Sequence, residues 1–196
     1  MTKGRIEAFS DGVIAIIVTI MVLELRPPKE WSLVSLKPIV PTFLAYVLSF
    51  INVGIYWNNH HHLFQTVERV NGRVLWANLY VLFWLSLIPF ATSWMGNSDF
   101  AQTPVIVYGG VLIMAASAYY FMTKVLLAAH GPQSTLAQAL SNSQKEMLSL
   151  LIYALSLVAA FYHPVVACLG YGIVALIWMI PDTRIETLLH SRDQSR

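Results

Sequence analysis

Two groups of side chains in this 196-residue sequence have the types that do chemistry: the acids Glu7 and Asp11 near the start, and three consecutive histidines, His60-His61-His62. Histidines invite a metal site. Neighbours on a helix, however, point about 100° apart, so three in a row cannot converge on one ion. No further His stands four residues on, and no Cys pair completes a ligand set. Acids and imidazoles could instead relay protons or pair with one another. With no nucleophile beside a base and no converging ligands, neither an enzyme nor a cofactor or metal site is expected.

What surrounds these groups decides between the remaining roles. Glu7, Ser10 and Asp11 open a run, residues 5–25, that is otherwise apolar. About 20 residues rising 1.5 Å each cross the hydrocarbon of a bilayer. A carboxylate at that depth is costly unless it faces protein or water, so Asp11 needs a partner or a cavity. At about 100° per residue, Gly12, Ile16, Thr19, Ile20 and Leu23 share one stripe, with Asp11 and Glu7 on the other side. That stripe is branched, uncharged and carries one hydroxyl. On spacing alone it fits ordinary helix packing or lipid contact better than the wall of a pore.

Composition excludes a soluble domain: 57% of residues are hydrophobic and 11% charged, with a mean hydropathy of +0.61. A net charge of +2, scattered along the chain, is too small for a nucleic-acid surface. The lone Cys168 excludes a disulfide within the chain. Acidic residues at the start of the first apolar stretch, with no small-residue cleavage site behind it, argue against a cleavable signal peptide.

The expectation is an all-α integral membrane protein, one domain over residues 1–196, with six spans at about 5–25, 38–62, 74–95, 104–126, 147–162 and 164–181. Arg26-Pro27-Pro28 stops the first, and residues 26–37 form a loop with Trp31 as an interfacial anchor. Pro38 and Pro41 suit the first turn of the second. In the third, Pro89 predicts a kink that frees a carbonyl for another helix or Ser86. Gly109, Gly110, Ala115, Ala116, Ser117 and Ala118 give the fourth a surface for close helix approach. Ser134 to Glu146 reads as an amphipathic lead-in to the fifth. Only His163-Pro164 separates the fifth and sixth, which predicts an antiparallel hairpin. Gly170-Tyr171-Gly172 is similar to an ordinary potassium-channel filter, yet it lacks the preceding Thr-Val and a pore helix, so helix packing is the better account. Lys3, Arg5, Arg69, Arg73, Lys124, Lys145, Arg184, Arg192 and Arg196 fall on the side of the termini, against Arg26, Lys29 and Lys37 on the other. The positive-inside rule therefore puts both termini in the cytoplasm.

Arg5 and Phe9-Ser10-Asp11-Gly12, with the aliphatic run behind them, resemble the signature of the transmembrane protein 175 family, potassium channels of endosomes and lysosomes with shorter prokaryotic relatives. Trp57, His60, Leu63 and Phe64 match a second family pattern, Asn78 and Pro89-Phe90 a third, and Pro181-Asp182, Arg184-Ile185-Glu186 an ending associated with the prokaryotic members. Family members often carry a basic residue where His62 stands, which puts its role in doubt. The resemblance covers most of the chain and is weakest over the fourth and fifth spans.

One chain holds one such signature, so a central pore needs several copies, and the resemblance implies four. It makes Ile16 the narrowest aliphatic ring, Thr19 the hydroxyl one turn on, and Ile20 and Leu23 further layers, with permeant potassium passing near Ile16 and Thr19. These are the residues of the stripe. A ring of isoleucine offers no oxygen ligands, so an ion sheds water there uncompensated; sodium, which holds water more tightly, is hindered more, and the ring can dewet and gate. The function expected is a potassium-selective channel in a prokaryotic cell membrane. It would be a homotetramer in the bilayer, with neither nucleic acid nor a small-molecule substrate as partner.

Arg5, Phe9, Ser10, Asp11 and Gly12 of the first span, with Trp57, His60 and His61 of the second, are expected to form the network that fixes the pore helix, with Asp11 and Arg5 against the His60-His61 pair, since the start of the first span and the end of the second share a depth. Asp11→Ala should then abolish folding or assembly. Glu24, beside the stripe near the outer mouth, either attracts cations or snorkels to the interface. The alternative function is a proton-conducting channel or proton-coupled transporter using Asp11 and the His60-His61 region, although the inverted repeats and broken helices common in transporters are not evident.

Overall fold

The computed structural model describes residues 2–67, 69–134, 136–137 and 144–179, and every regular element among them is helical. The helices are α1 (Lys3–Leu23), α2 (Val40–Gln65), α3 (Gly72–Ser86), α4 (Ile88–Asn97), α5 (Gln102–His130), α6 (Gln144–Ala160) and α7 (Pro164–Met179). A short 3-10 helix, Leu33–Ile39, leads into α2 within the stretch expected as loop. The Ser35 hydroxyl supports its start by reaching the Ser32 carbonyl at 2.6 Å and the Glu30 carbonyl at 3.0 Å.

Four stretches are long and apolar enough to cross a bilayer: Lys3–Leu23, Leu33–Gln65, Gly72–Asn97 and Gln102–His130. The last two helices, of 17 and 16 residues, make the remaining pair. Six spans result, because α3 and α4 are one span broken at Leu87. Pro89 sits in the first turn of α4, where its missing N–H costs nothing, and the break falls just before it. Ser86 donates to the Phe83 carbonyl at 2.7 Å, within its own helix. The Pro181 to Glu186 motif, Arg192, Arg196, Glu68 and part of the lead-in before α6 lie outside the described residues.

The packing has two flanks. α1 leans on α2, α3 and α4, while α6 and α7 pack on each other and on α5 and α2. The α6–α7 connection is as tight as expected, with the His163 N–H donating to the Ala159 carbonyl at 2.7 Å. Tyr171 of the Gly-Tyr-Gly triplet is fully buried in a continuous helix, and its hydroxyl fills the space that a Cβ at Gly109 would need. Gly170 is likewise filled by the Ser156 hydroxyl. The triplet is therefore helix packing, and Gly109 is required for it.

Lys3 Nζ donates to the Gln65 carbonyl at 3.2 Å, and the Arg69 N–H donates to His130 Nε2 at 3.1 Å. The start of α1, the end of α2 and the end of α5 thus share one end of the bundle.

Candidate functional site

α1 divides lengthwise. Ile6, Ser10, Ile14, Ile17 and Met21 recur every three or four residues and are buried. Ile16 is 58% exposed, Ile20 45% and Leu23 76%, and Gly12 and Thr19 are exposed beside them. The five residues of the stripe therefore face out of the subunit. Arg5, Phe9 and Asp11 are exposed as well, so Asp11 lies beside the stripe and not opposite it, about 80° from Thr19 at 100° per residue.

The buried edge of α1 is fixed by a polar chain. Asn78 Nδ2 donates to Ser10 Oγ at 2.9 Å, and His60 Nε2 lies 2.8 Å from Asn78 Oδ1. An amide oxygen only accepts, so the imidazole donates through Nε2. Three side chains from α1, α3 and α2 are thereby joined, all of them buried. His60 also stacks on Phe64, with ring centroids 4.4 Å apart. In an apolar bundle a lone amide must find such partners.

Of the residues expected around Asp11, it is Trp57 that meets it and not the histidine pair. Trp57 Nε1 donates to its Oδ1 at 2.9 Å, on the exposed side of the subunit. His61 stacks on the Trp57 indole and meets Gln65 at 2.9 Å, while His60 turns inward to Asn78. Arg5 has no side-chain partner among the described residues. The network around α1 is thus two separate linkages, Ser10–Asn78–His60 inside and Asp11–Trp57 outside, with Arg5 in neither. His62 Nδ1 is buried without a hydrogen-bond partner among the described residues. No three His, Cys, Asp or Glu side chains among the described residues are grouped to hold a metal.

The far end of α1 carries a linkage that inspection of the sequence missed. Ser93 of α4 donates to Glu24 Oε2 at 2.8 Å, Asn97 Nδ2 donates to Ser93 Oγ at 3.1 Å, and Thr42 of α2 donates to Asn97 Oδ1 at 3.4 Å. Glu24 is therefore anchored to the subunit rather than free. The signal available was the spacing of Ser93 and Asn97, one turn apart on a short apolar helix. Between these two ends, α1 and the α3–α4 break leave an open groove lined by Val13, Ile16, Ile20, Pro89, Phe90 and Trp94 among others.

The Thr19 hydroxyl donates to the Ile16 carbonyl at 2.9 Å. Its proton is engaged within the helix, so its lone pairs are what the exposed face offers. That face combines bare aliphatic carbon with one acceptor oxygen.

A family model described as "Endosomal/lysosomal potassium channel TMEM175" matches residues 5–89. A protein of Chryseobacterium sp. (strain P1-3) named a potassium channel is 58% identical over 189 residues, 96% of this chain and 98% of that one. The Homo sapiens protein named endosomal/lysosomal proton channel TMEM175 is 36% identical over 116 residues, 53% of this chain and 23% of its own length. The crystal structure of a lysosomal potassium-selective channel TMEM175 homolog from Chamaesiphon minutus superposes with a TM-score of 0.77 at 25% identity, covering 91% of this chain and 96% of that one.

Proposed function

The chain belongs to the TMEM175 channel family, and from that premise we propose that it is a potassium-preferring channel whose pore is walled by α1 from each of four copies. It is a membrane protein and a cation channel, not an enzyme. The observation that carries the finer reading is the outward exposure of Ile16, Thr19, Ile20 and Leu23 on a helix whose other edge is locked into the subunit. The groove beside Ile16 and Ile20 supports assembly, since an apolar recess of this kind is what another copy would fill.

Four Ile16 side chains around an axis close the pore to a hydrated ion. Passage demands that water be stripped with no oxygen to replace it, which hinders sodium more than potassium, and the empty ring dewets to a closed state. Thr19 lies one turn on, its oxygen ready to accept the partly dehydrated ion. Glu24, tethered by Ser93, places a fixed negative charge near that mouth.

The basic residues Lys3, Arg5, Arg69, Arg73, Lys124 and Lys145 lie toward the end that carries the N-terminus, and Arg26, Lys29 and Lys37 toward the other. Both termini are accordingly assigned to the cytoplasm. The bacterial relative supports the plasma membrane of a prokaryote as the location.

Proton passage through the same pore is a second reading, favoured by the name of the human relative. Asp11, exposed beside the stripe, is the titratable group placed for it, whereas His60 is turned into the core.

Reconstitution in a planar bilayer tests the proposal. Ohmic unitary currents reversing near the potassium equilibrium potential are expected under a potassium/sodium gradient. Saturable flux without unitary steps would indicate a transporter, and currents that reverse with the proton gradient alone would replace potassium by protons.

A further inference from the structure

On the flank away from α1, the helices α2, α5, α6 and α7 enclose a cavity that plays no part in the pore. Its walls are aromatic: the rings of Tyr56, Tyr119, Tyr120 and Tyr153 and the Trp178 indole, with the half-buried Glu146 as the one carboxylate and no cationic side chain among the lining residues. We propose that this cavity binds a primary ammonium group, with Glu146 as counter-ion and the tyrosine and tryptophan rings as its walls.

The hydrogen-bond inventory points to that chemistry. Tyr153 donates to Asn52 Oδ1 at 3.3 Å, Tyr119 donates to the Asn59 carbonyl at 3.1 Å, and Trp178 donates to Ser149 Oγ at 2.7 Å, so these groups are already engaged. The Glu146 carboxylate, the Tyr56 hydroxyl and the Asn59 side-chain amide have no hydrogen-bond partner among the described residues. What remains open in the cavity is therefore a carboxylate, which only accepts, and two groups that can accept. A ligand with several donors and a positive charge satisfies all three.

The aromatic wall accepts an ammonium where it can be seen. Lys124 Nζ, whose charge already acts on Glu146 without hydrogen-bonding to it, stands 4.9 Å from the centroid of the Tyr120 ring. Alkylammonium groups are held by such ring faces, and more strongly where water is excluded.

Size selects a primary ammonium. The space open to the centres of water molecules is about 50 Å³, room for roughly three to five water-sized spheres at 10–15 Å³ each. A CH₂–NH₃⁺ end fits that space, whereas a trimethylammonium does not. A bare potassium ion would meet carbon on most sides. Glu146 is in the first turn of α6, at the end of the bundle where lipid headgroups lie, so the ammonium has two sources: a soluble alkylamine, or the ethanolamine headgroup of a lipid whose chains stay in the bilayer.

The test uses the full chain in nanodiscs of phosphatidylcholine and phosphatidylglycerol, with ethylammonium chloride as the soluble probe followed by saturation-transfer NMR. Native mass spectrometry of the protein, after exposure to phosphatidylethanolamine, reads the lipid source. Saturable ethylammonium binding, preferential retention of phosphatidylethanolamine over phosphatidylcholine, or both, is expected, weakened at least tenfold by Glu146→Gln. Ala116→Leu, which fills the cavity from α5 and leaves the carboxylate in place, should abolish it and decides the matter if Glu146→Gln does not fold. Ethylammonium bound no better than ethanol, together with no preference for the ethanolamine lipid, would overturn the proposal. So would equal competition by potassium, or binding that survives both variants, as binding in the pore would.

Discussion

The two edges of α1 are made of nearly the same residues and live in opposite circumstances. Ile14 and Ile17 are buried to within a few per cent, while Ile16, between them in sequence, is more than half exposed. The inner edge adds one hydroxyl, Ser10, bonded through Asn78 to His60. The outer edge also adds one hydroxyl, Thr19, bonded to its own helix. The difference is one of address: Ser10 ties α1 to two other helices, whereas Thr19 ties it to nothing. Stability should therefore reside on the inner edge and conduction on the outer, and the two should be separable by mutation.

Asn78→Leu strikes the inner edge hardest. It removes two hydrogen bonds and leaves the His60 N–H and the Ser10 hydroxyl buried without partners. Each group so stranded costs about 1–3 kcal/mol, with membrane bundles nearer the lower end. A loss of about 2–3 kcal/mol in a chain of this size lowers the melting midpoint by roughly 5–10 °C. Thermal unfolding in detergent would measure it. Channels that still assemble should retain wild-type permeability ratios; altered selectivity in the surviving channels would break the division between the edges.

Ile16→Asn strikes the outer edge. An amide at the proposed constriction would give the ion an oxygen where it had carbon, and keep the ring wet. Lowering the barrier by about 1.4 kcal/mol raises flux about tenfold if that ring is rate-limiting. Single-channel conductance should rise and potassium preference fall, with the melting midpoint unchanged. Unaltered conductance would remove Ile16 from the constriction, and a large loss of stability would show that this edge packs against protein as the inner one does.

The inner and outer edges were not equally legible in the sequence. Span lengths follow from bilayer thickness, and the break at Leu87 follows from Pro89, so the course of the chain could be read directly. The stripe through Ile16 and Thr19 followed from helical spacing. Side-chain pairing did not. Trp57, His60 and His61 occupy neighbouring positions on the last turns of α2, so a rotation of α2 by one residue exchanges which of them meets Asp11. Charge favoured a histidine; packing delivered the Trp57 indole and turned His60 to Asn78. Asn78 was visible as a lone amide in an apolar run, yet its partners depend on where three helices cross. Spacing alone does not pair Glu24 with Ser93, because the break before Pro89 resets the rotation of α4 relative to α3.

The smallest expected effect is the most discriminating between the edges. Thr19→Val keeps the shape of the side chain and deletes its oxygen. Because that hydroxyl is bonded within its own helix to the Ile16 carbonyl, its removal strands no group on another helix, and the melting midpoint should not move. Conductance, which the proposed Ile16 ring would set, should change little. The potassium/sodium permeability ratio should fall roughly twofold, equivalent to about 0.4 kcal/mol, the contribution of an oxygen that helps a partly dehydrated ion without replacing its shell. Reversal potentials under bi-ionic conditions resolve a change of that size. A Thr19→Val channel with an unchanged ratio would leave selectivity to carbon alone, whereas one that loses selectivity altogether would make the hydroxyl ring, and not Ile16, the filter.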